Sequence, residues 1–72
     1  MNMNIGENIV RYRKSKGILQ KYIADKTGIS QQGLHKIEKG QVSPRADTLV
    51  KVIDVLGITP NQLFGVEEIP ND

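Results

Sequence analysis

The stretch QKYIADKTGISQQGLHKIEKG, residues 20–40, decides the fold of this chain. Apolar residues recur at helical spacing on both sides of Gly28, and Ser30 stands where the second run begins. Glycine adopts the positive φ that ends a helix and turns the chain, and a serine hydroxyl caps the helix that follows. We therefore predict two short helices, over 20–27 and from 31 to about 39, joined by a tight turn.

The apolar residues of this stretch have the roles that a helix-turn-helix requires. Ala24 is small enough to let the two helices approach closely where they cross, and four larger side chains close the core between them: Ile23, Ile29, Leu34 and Ile37. Ten specified positions within 21 residues agree with this arrangement, so the motif is a specific one.

The sequence on either side of this stretch also predicts helices. Helical apolar spacing and glycine or proline boundaries predict further helices over 5–16, 45–56 and 60–64, with Asn4 and Thr59 as N-caps. No segment alternates with the period of a half-buried strand. We predict a compact all-α domain of five helices over residues 1–65, followed by a short, flexible acidic tail at 66–72.

The amino-acid composition excludes several kinds of functional site. The chain has no cysteine and one histidine, which excludes disulfides, thiolate zinc sites, thiol catalysis and histidine-rich metal sites. We therefore expect no enzyme, no cofactor and no metal. No signal peptide or membrane-spanning stretch is recognisable, so we expect a cytoplasmic protein.

The charge of the chain is unevenly placed. The whole chain carries +2, but residues 1–65 hold all ten bases and only five of the eight acids, a net +5. Four bases crowd into six positions of the first helix: Arg11, Arg13, Lys14 and Lys16. This distribution indicates a polyanion as partner, although a solvated helix face explains the same residues about as well.

Residues 20–40, together with IGENI at 5–9, LGI at 56–58 and LFG at 63–65, resemble the Cro/cI-repressor (XRE-type) family of helix-turn-helix DNA-binding domains. The resemblance extends over about residues 5–65. It implies a five-helix, lambda-repressor-like fold with the third helix in the major groove of double-stranded DNA. It also implies a homodimer that reads an inverted-repeat operator.

The start of the third helix holds the candidate base contacts, which are Gln31, Gln32 and Lys36. A glutamine amide pairs with N6 and N7 of adenine, and two successive glutamines are similar to the start of the recognition helix in some lambdoid phage repressors. The alternative is that these are ordinary polar residues on a solvent-facing surface. We expect His35 to face solvent or phosphate rather than a metal.

The resemblance implies that Gln20, which opens the second helix, binds a backbone phosphate. Further candidate phosphate contacts surround the turn and the loop after the third helix: Ser30, Lys39, Gln41 and Arg45. For the loop residues, a solvated surface explains the same sequence about equally well.

Two further expectations concern packing and assembly. The resemblance predicts a partly buried ion pair between Arg13 and Glu38, because neither charge is tolerated in a core alone. The apolar residues around the last helix predict a dimer contact, since part of this set would otherwise be exposed on a small monomer. That set is Ile58, Pro60, Leu63 and Phe64, beside Leu56. The alternative is burial in the core of a single chain, which we expect for Leu56 and Leu63.

Three positions depart from the family pattern. Leu19 and Arg45 stand where the second and fourth helices usually have a small polar N-cap, although Ser43 and Pro44 offer an earlier start for the fourth helix. Gly33 lies inside the third helix, where it costs up to about 1 kcal/mol relative to alanine.

The sequence therefore predicts a sequence-specific, double-stranded DNA-binding transcriptional regulator. A phage or mobile-element repressor, a restriction-modification controller and an antitoxin all fit this domain. The first two are favoured because an antitoxin usually adds a toxin-binding segment, and only seven residues follow Gly65. The alternative is an antitoxin-like protein-interaction module with little or no DNA binding, which the polar and basic third helix argues against.

Overall fold

The computed structural model describes residues 4–66, which form five α-helices without a strand among them. The helices are α1 (Ile5–Ser15), α2 (Gln20–Thr27), α3 (Gln31–Glu38), α4 (Ala46–Leu56) and α5 (Pro60–Phe64). The predicted five-helix fold is confirmed. The bounds of α2 and α5 are as predicted, whereas α1 and α3 each end one residue earlier and α4 begins one residue later. The predicted tail lies outside the described residues, except for Val66.

The N-caps explain where several helices begin. Asn4 accepts a hydrogen bond from the Glu7 amide at the start of α1. Thr59 and Gln62 form a reciprocal capping box at the start of α5. Leu19 and Arg45 provide no side-chain hydrogen bond to α2 and α4, and α4 does not use the earlier start.

The core lies where α1 packs against α3, α4 and α5, and where α2 packs against α3 and α4. Nine buried apolar residues build it: Ile9, Ile23, Ala24, Leu34, Ile37, Val52, Leu56, Ile58 and Leu63. The expected core residue Ile29 is half-buried and packs against the edge of this cluster. Burial of these side chains holds α2 and α3 in a fixed relation and leaves one face of α3 open to solvent.

Gly28 makes the turn between α2 and α3 possible. Its φ is 77°, in the left-handed region that side chains with a Cβ rarely adopt, and its amide closes the last turn of α2 on Ala24. Two residues later, Ser30 is extended and starts α3. The turn therefore sets both the end of α2 and the direction in which the N-terminus of α3 points.

Candidate nucleic-acid interface

The exposed face of α3 presents the candidate base-contacting residues, two in its first turn and one in its last. The Ser30 hydroxyl accepts a hydrogen bond from the Gly33 amide at 2.9 Å, which fixes the start of the helix. Gln31, Gln32 and Lys36 are all exposed on α3. Because the buried face of the same helix packs into the core, these polar side chains stand on a rigid element.

An ion pair joins α1 to the end of α3. Arg13 Nε lies 2.9 Å from Glu38 Oε2 and Arg13 Nη2 lies 3.1 Å from Glu38 Oε1, so the contact is bidentate. The two side chains are 12% and 4% exposed. Arg13 Nη1 also donates to the Ile18 carbonyl at 3.2 Å. The structure thus brings together the two residues that the sequence pairs, in a nearly buried position.

The Gln20 side chain is held by protein groups. Its Nε2 donates to Glu38 Oε1 at 2.8 Å and lies 3.3 Å from His35 Nδ1. Gln31 Nε2 lies 3.5 Å from Gln20 Oε1. Both amide hydrogens of Gln20 have partners when the His35 ring proton is on Nε2, and a phosphate would then have to displace one of them to reach the side-chain amide. The backbone amide of Gln20, in the first turn of α2, remains the other group suited to a phosphate.

The remaining phosphate candidates lie at and beyond the C-terminal end of α3. Lys39, Gln41 and Arg45 are exposed at the end of α3 and in the loop that follows it. Arg45 Nε lies 3.5 Å from Asp47 Oδ1, an exposed contact of little strength that a phosphate can replace. The exposed cations Lys36 and Lys39 leave this end of the helix positively charged.

Lys14 lies on this surface but is not among the contacts that the sequence predicts. A groove of about 600 Å³ runs between α1 and the end of α3, and Lys14, Lys39 and His35 are among its lining residues. Lys14 is one of the four bases of α1. In the sequence these bases indicate a polyanion as partner, but they do not assign a DNA contact to this lysine. Only the packing of α1 on α3 shows that this lysine shares a groove with the residues at the end of α3.

The candidate dimer residues divide into two groups. Leu63 is fully buried and Ile58 is 9% exposed, so both pack in the core of a single chain and leave little surface for a contact between copies. Pro60 is exposed and Phe64 is half-buried. Of this candidate set, Pro60 and Phe64 are therefore the residues left for an apolar contact between copies.

Residues 4–66 give no support for other kinds of site. They contain no group of three or more histidine, cysteine or acidic residues close enough to hold a metal ion. Within the same range, no helix has the length and apolar character that crossing a bilayer requires.

Comparison with known proteins agrees with this geometry. A sequence model of the helix-turn-helix family (HTH_3) matches residues 9–63. The chain is similar to the SPbeta prophage-derived uncharacterized HTH-type transcriptional regulator YonR of Bacillus subtilis, with 38% identity over 93% of this chain and 68% of that protein. It is 36% identical to the cryptic phage CTXphi transcriptional repressor RstR of Vibrio cholerae, over 88% of this chain and 56% of that protein.

Among solved structures, the chain resembles the restriction-modification controller protein C.AhdI of Aeromonas hydrophila. The TM-score is 0.79 and the identity 26%, with 86% of this chain and 94% of that chain covered. A five-helix fold with α2 and α3 joined by a tight turn and a polar, basic face on α3 defines a helix-turn-helix DNA-binding domain. The chain belongs to the helix-turn-helix family.

Proposed function

We propose that this chain regulates transcription by binding a specific sequence of double-stranded DNA as a homodimer, with α3 in the major groove. One observation carries the proposal: two glutamines in the first turn of α3 and a lysine in its last turn are exposed on a helix whose other face is buried. Such a rigid polar helix end is the usual reader of base edges in helix-turn-helix proteins. Family membership and the regulators named among the relatives support the same function.

The readers are Gln31, Gln32 and Lys36. A glutamine amide offers one donor and one acceptor side by side, which match N7 and N6 of adenine, whereas a lysine ammonium donates to guanine. Gln31 and Gln32 occupy the first two positions of α3, where side chains enter the groove first.

Affinity comes from a band of phosphate contacts on either side of the readers. The proposed phosphate contacts come from three places: the turn before α3, the end of α3 with the loop after it, and α1. They are Ser30, then Lys39, Gln41 and Arg45, and finally Lys14. Each cation that neutralises a phosphate releases counterions, so binding weakens as the salt concentration rises. These residues therefore contribute to the binding of a duplex of any sequence, whereas the base readers contribute to the recognition of one sequence.

The role is that of a repressor or controller that occupies a promoter, without a catalytic step, in the cytoplasm. Relatives are named as a transcriptional repressor, an immunity repressor and a restriction-modification controller. Each of these names describes a regulator, which supports control of transcription by occupying a promoter rather than by catalysing a reaction.

The test is selection of bound sequences from random duplex DNA with the purified protein. We expect enrichment of an inverted repeat with half-sites about 10–10.5 bp apart, centre to centre, since that spacing places two copies on one side of the duplex. An enriched single half-site supports sequence recognition and contradicts the homodimer. No enrichment at low salt contradicts the proposal and favours a protein-interaction module.

A further inference from the structure

The one histidine of the chain, His35, lines the groove between α1 and the end of α3. It is exposed in the last turn of α3. Charged residues of α1 and α3 share the groove with it, whereas α2 contributes the uncharged Gln20. These charged residues are Glu7, Arg11, Arg13 and Lys14 from α1, and Glu38 and Lys39 from α3.

The charges around His35 leave the groove positive. Arg13 and Glu38 neutralise each other in their bidentate pair. The three cations that remain, which include Lys14 and Lys39, outnumber the one remaining carboxylate. Such a groove attracts an anion, and the sugar–phosphate backbone is the anion that flanks a helix lying in the major groove.

The neutral and the charged form of the His35 ring differ in the partners they require. Nδ1 lies 3.3 Å from Gln20 Nε2 and accepts a hydrogen from it when the ring proton is on Nε2. A protonated ring carries a hydrogen on both nitrogens, so two donors would meet at this contact. Gln20 Nε2 is also held by Glu38 Oε1, at 2.8 Å. The charged ring therefore turns away from Gln20 and requires an acceptor elsewhere.

We propose that this groove receives a phosphate of the DNA backbone and that His35 takes up a proton as the phosphate binds, which couples the affinity for DNA to pH. This inference rests on the proposed function. The phosphate supplies the acceptor that the charged ring requires, and its negative charge favours the protonated form.

The direction of the coupling follows from which state holds the proton. Histidine is the side chain that changes charge between about pH 5 and 8, so the coupling operates near neutrality. Because the complex with DNA binds one proton more than the free protein, a lower pH favours the complex. The phosphate carries no sequence information, so the effect is the same for a duplex of any sequence.

The experiment measures affinity at about pH 6 and about pH 8, on either side of the range in which histidine titrates. Random duplex and the selected operator are titrated across a salt series at each pH, with protein that carries no histidine tag. His35→Gln removes the titratable ring and keeps a polar side chain, whereas His35→Lys carries a positive charge at both pH values. Lys51→Ala is the control, because Lys51 is exposed on α4, outside the groove.

We expect the wild-type chain to bind both DNAs about two- to fivefold more tightly per copy at the lower pH, the effect of one exposed ionic contact. The salt slope is steeper there by up to about one unit per copy, since one more cation meets a phosphate. His35→Gln binds equally at the two pH values. His35→Lys binds at the higher pH about as tightly as the wild type does at the lower. Lys51→Ala behaves as the wild type, and thermal melts at both pH values verify folding.

NMR observes the proton uptake directly, because the chain has one histidine and its ring signals need no assignment. The carbon-bound ring protons of His35 shift as the ring gains charge. We expect this transition to move to higher pH when saturating random duplex is added. A transition at the same pH with and without DNA contradicts the proton uptake.

Three affinity results also overturn the inference. If the wild type binds equally at the two pH values, no proton is coupled to binding. If His35→Gln retains the pH effect, another group titrates. If the effect occurs with the operator but not with random duplex, His35 contacts a base rather than a phosphate. Failure of the proposed function is distinguishable from these results, because random duplex carries this test even where no sequence is enriched.

Discussion

Gly6 lies where α1 crosses the end of α3, at a contact too close for a side chain. A Cβ at this position would clash with the Ile37 carbonyl oxygen and would lie 2.7 Å from that of Glu38. These are backbone atoms that cannot rotate away. We expect Gly6→Ala to lower the free energy of unfolding by about 1–3 kcal/mol or more, measured by denaturant titration. The control is Ser15→Ala, at the exposed end of the same helix; an equal effect of the two changes would contradict this packing argument.

Glu38 is the second residue on which the α1–α3 contact depends. Its replacement by alanine would leave the Arg13 guanidinium nearly buried without its carboxylate. We expect Glu38→Ala to destabilise the fold by about 3–5 kcal/mol, the cost of breaking a buried pair. Asp25→Ala breaks the exposed contact with Lys21 and should change stability by about 0.5 kcal/mol or less. Similar unfolding free energies for the two variants would show that the pair adds little.

Base readers and phosphate contacts differ in how their loss affects binding. Gln31→Ala or Gln32→Ala should cost about 1–3 kcal/mol on the operator and relax preference at one position, with random duplex unaffected. Lys39→Ala or Arg45→Ala should weaken operator and random duplex together and lower the salt slope by about one unit. Titration of both DNAs across a salt series checks this contrast. Equal losses on the two DNAs in the glutamine variants would remove Gln31 and Gln32 as readers.

At the scale of the elements, α2 begins without a cap. Leu19 is extended at the N-cap position, its side chain is 71% exposed and it makes no capping hydrogen bond. A serine there would accept from an amide in the first turn, as Ser30 does for α3. We expect Leu19→Ser to be more stable than Leu19→Ala by about 1 kcal/mol in denaturant titrations. Identical stabilities of the two variants would mean that the first turn of α2 is satisfied by water.

The sequence predicts the elements well because their signals are local. Apolar spacing and the turn at Gly28 determine where α2 lies, the Thr59 cap determines where α5 begins, and both helices have the predicted bounds. The one-residue differences at the end of α3 and the start of α4 arise where no side-chain hydrogen bond marks the boundary: Lys39 ends α3 by its backbone alone, and Arg45 does not cap α4. Local patterns specify the type of an element more firmly than its last residue.

Parts of the candidate site depend on how the helices pack together and could not be predicted from the spacing of residues in the sequence. The amide of Gln20 is directed by Glu38, 18 positions along the chain, so its orientation is visible only when α2 and α3 are packed. Burial of Ile58 was likewise not predictable, because an apolar residue near a short final helix can belong to a core or to a partner surface, whereas Leu63 is buried as expected. The ion pair of Arg13 with Glu38 was predictable because a family resemblance supplied the pairing.

At the scale of the whole molecule, α3 and α5 each pack on α1 rather than on each other. α3 and α5 both pack against α1, and Asn8 anchors α5 through a 2.8 Å hydrogen bond to the Leu63 carbonyl. Two copies that meet through α5 would each keep α3 free for DNA. The exposed apolar surface of Pro60 and Phe64 is small, so we expect weak association in solution that DNA reinforces by holding two copies side by side.

This arrangement predicts how charge on α5 affects binding. Phe64→Glu and Pro60→Glu should reduce the cooperative gain of the inverted repeat over a half-site, while half-site affinity is retained because α3 is untouched. Pro60 is exposed, so its replacement leaves the core intact even if the Phe64 variant is less stable. Val50→Glu, which places the same charge on an exposed apolar position of α4, should leave the gain unchanged. Sedimentation with full-site and half-site duplexes measures the stoichiometry; a single copy bound to the inverted repeat by the wild-type chain would contradict the dimer.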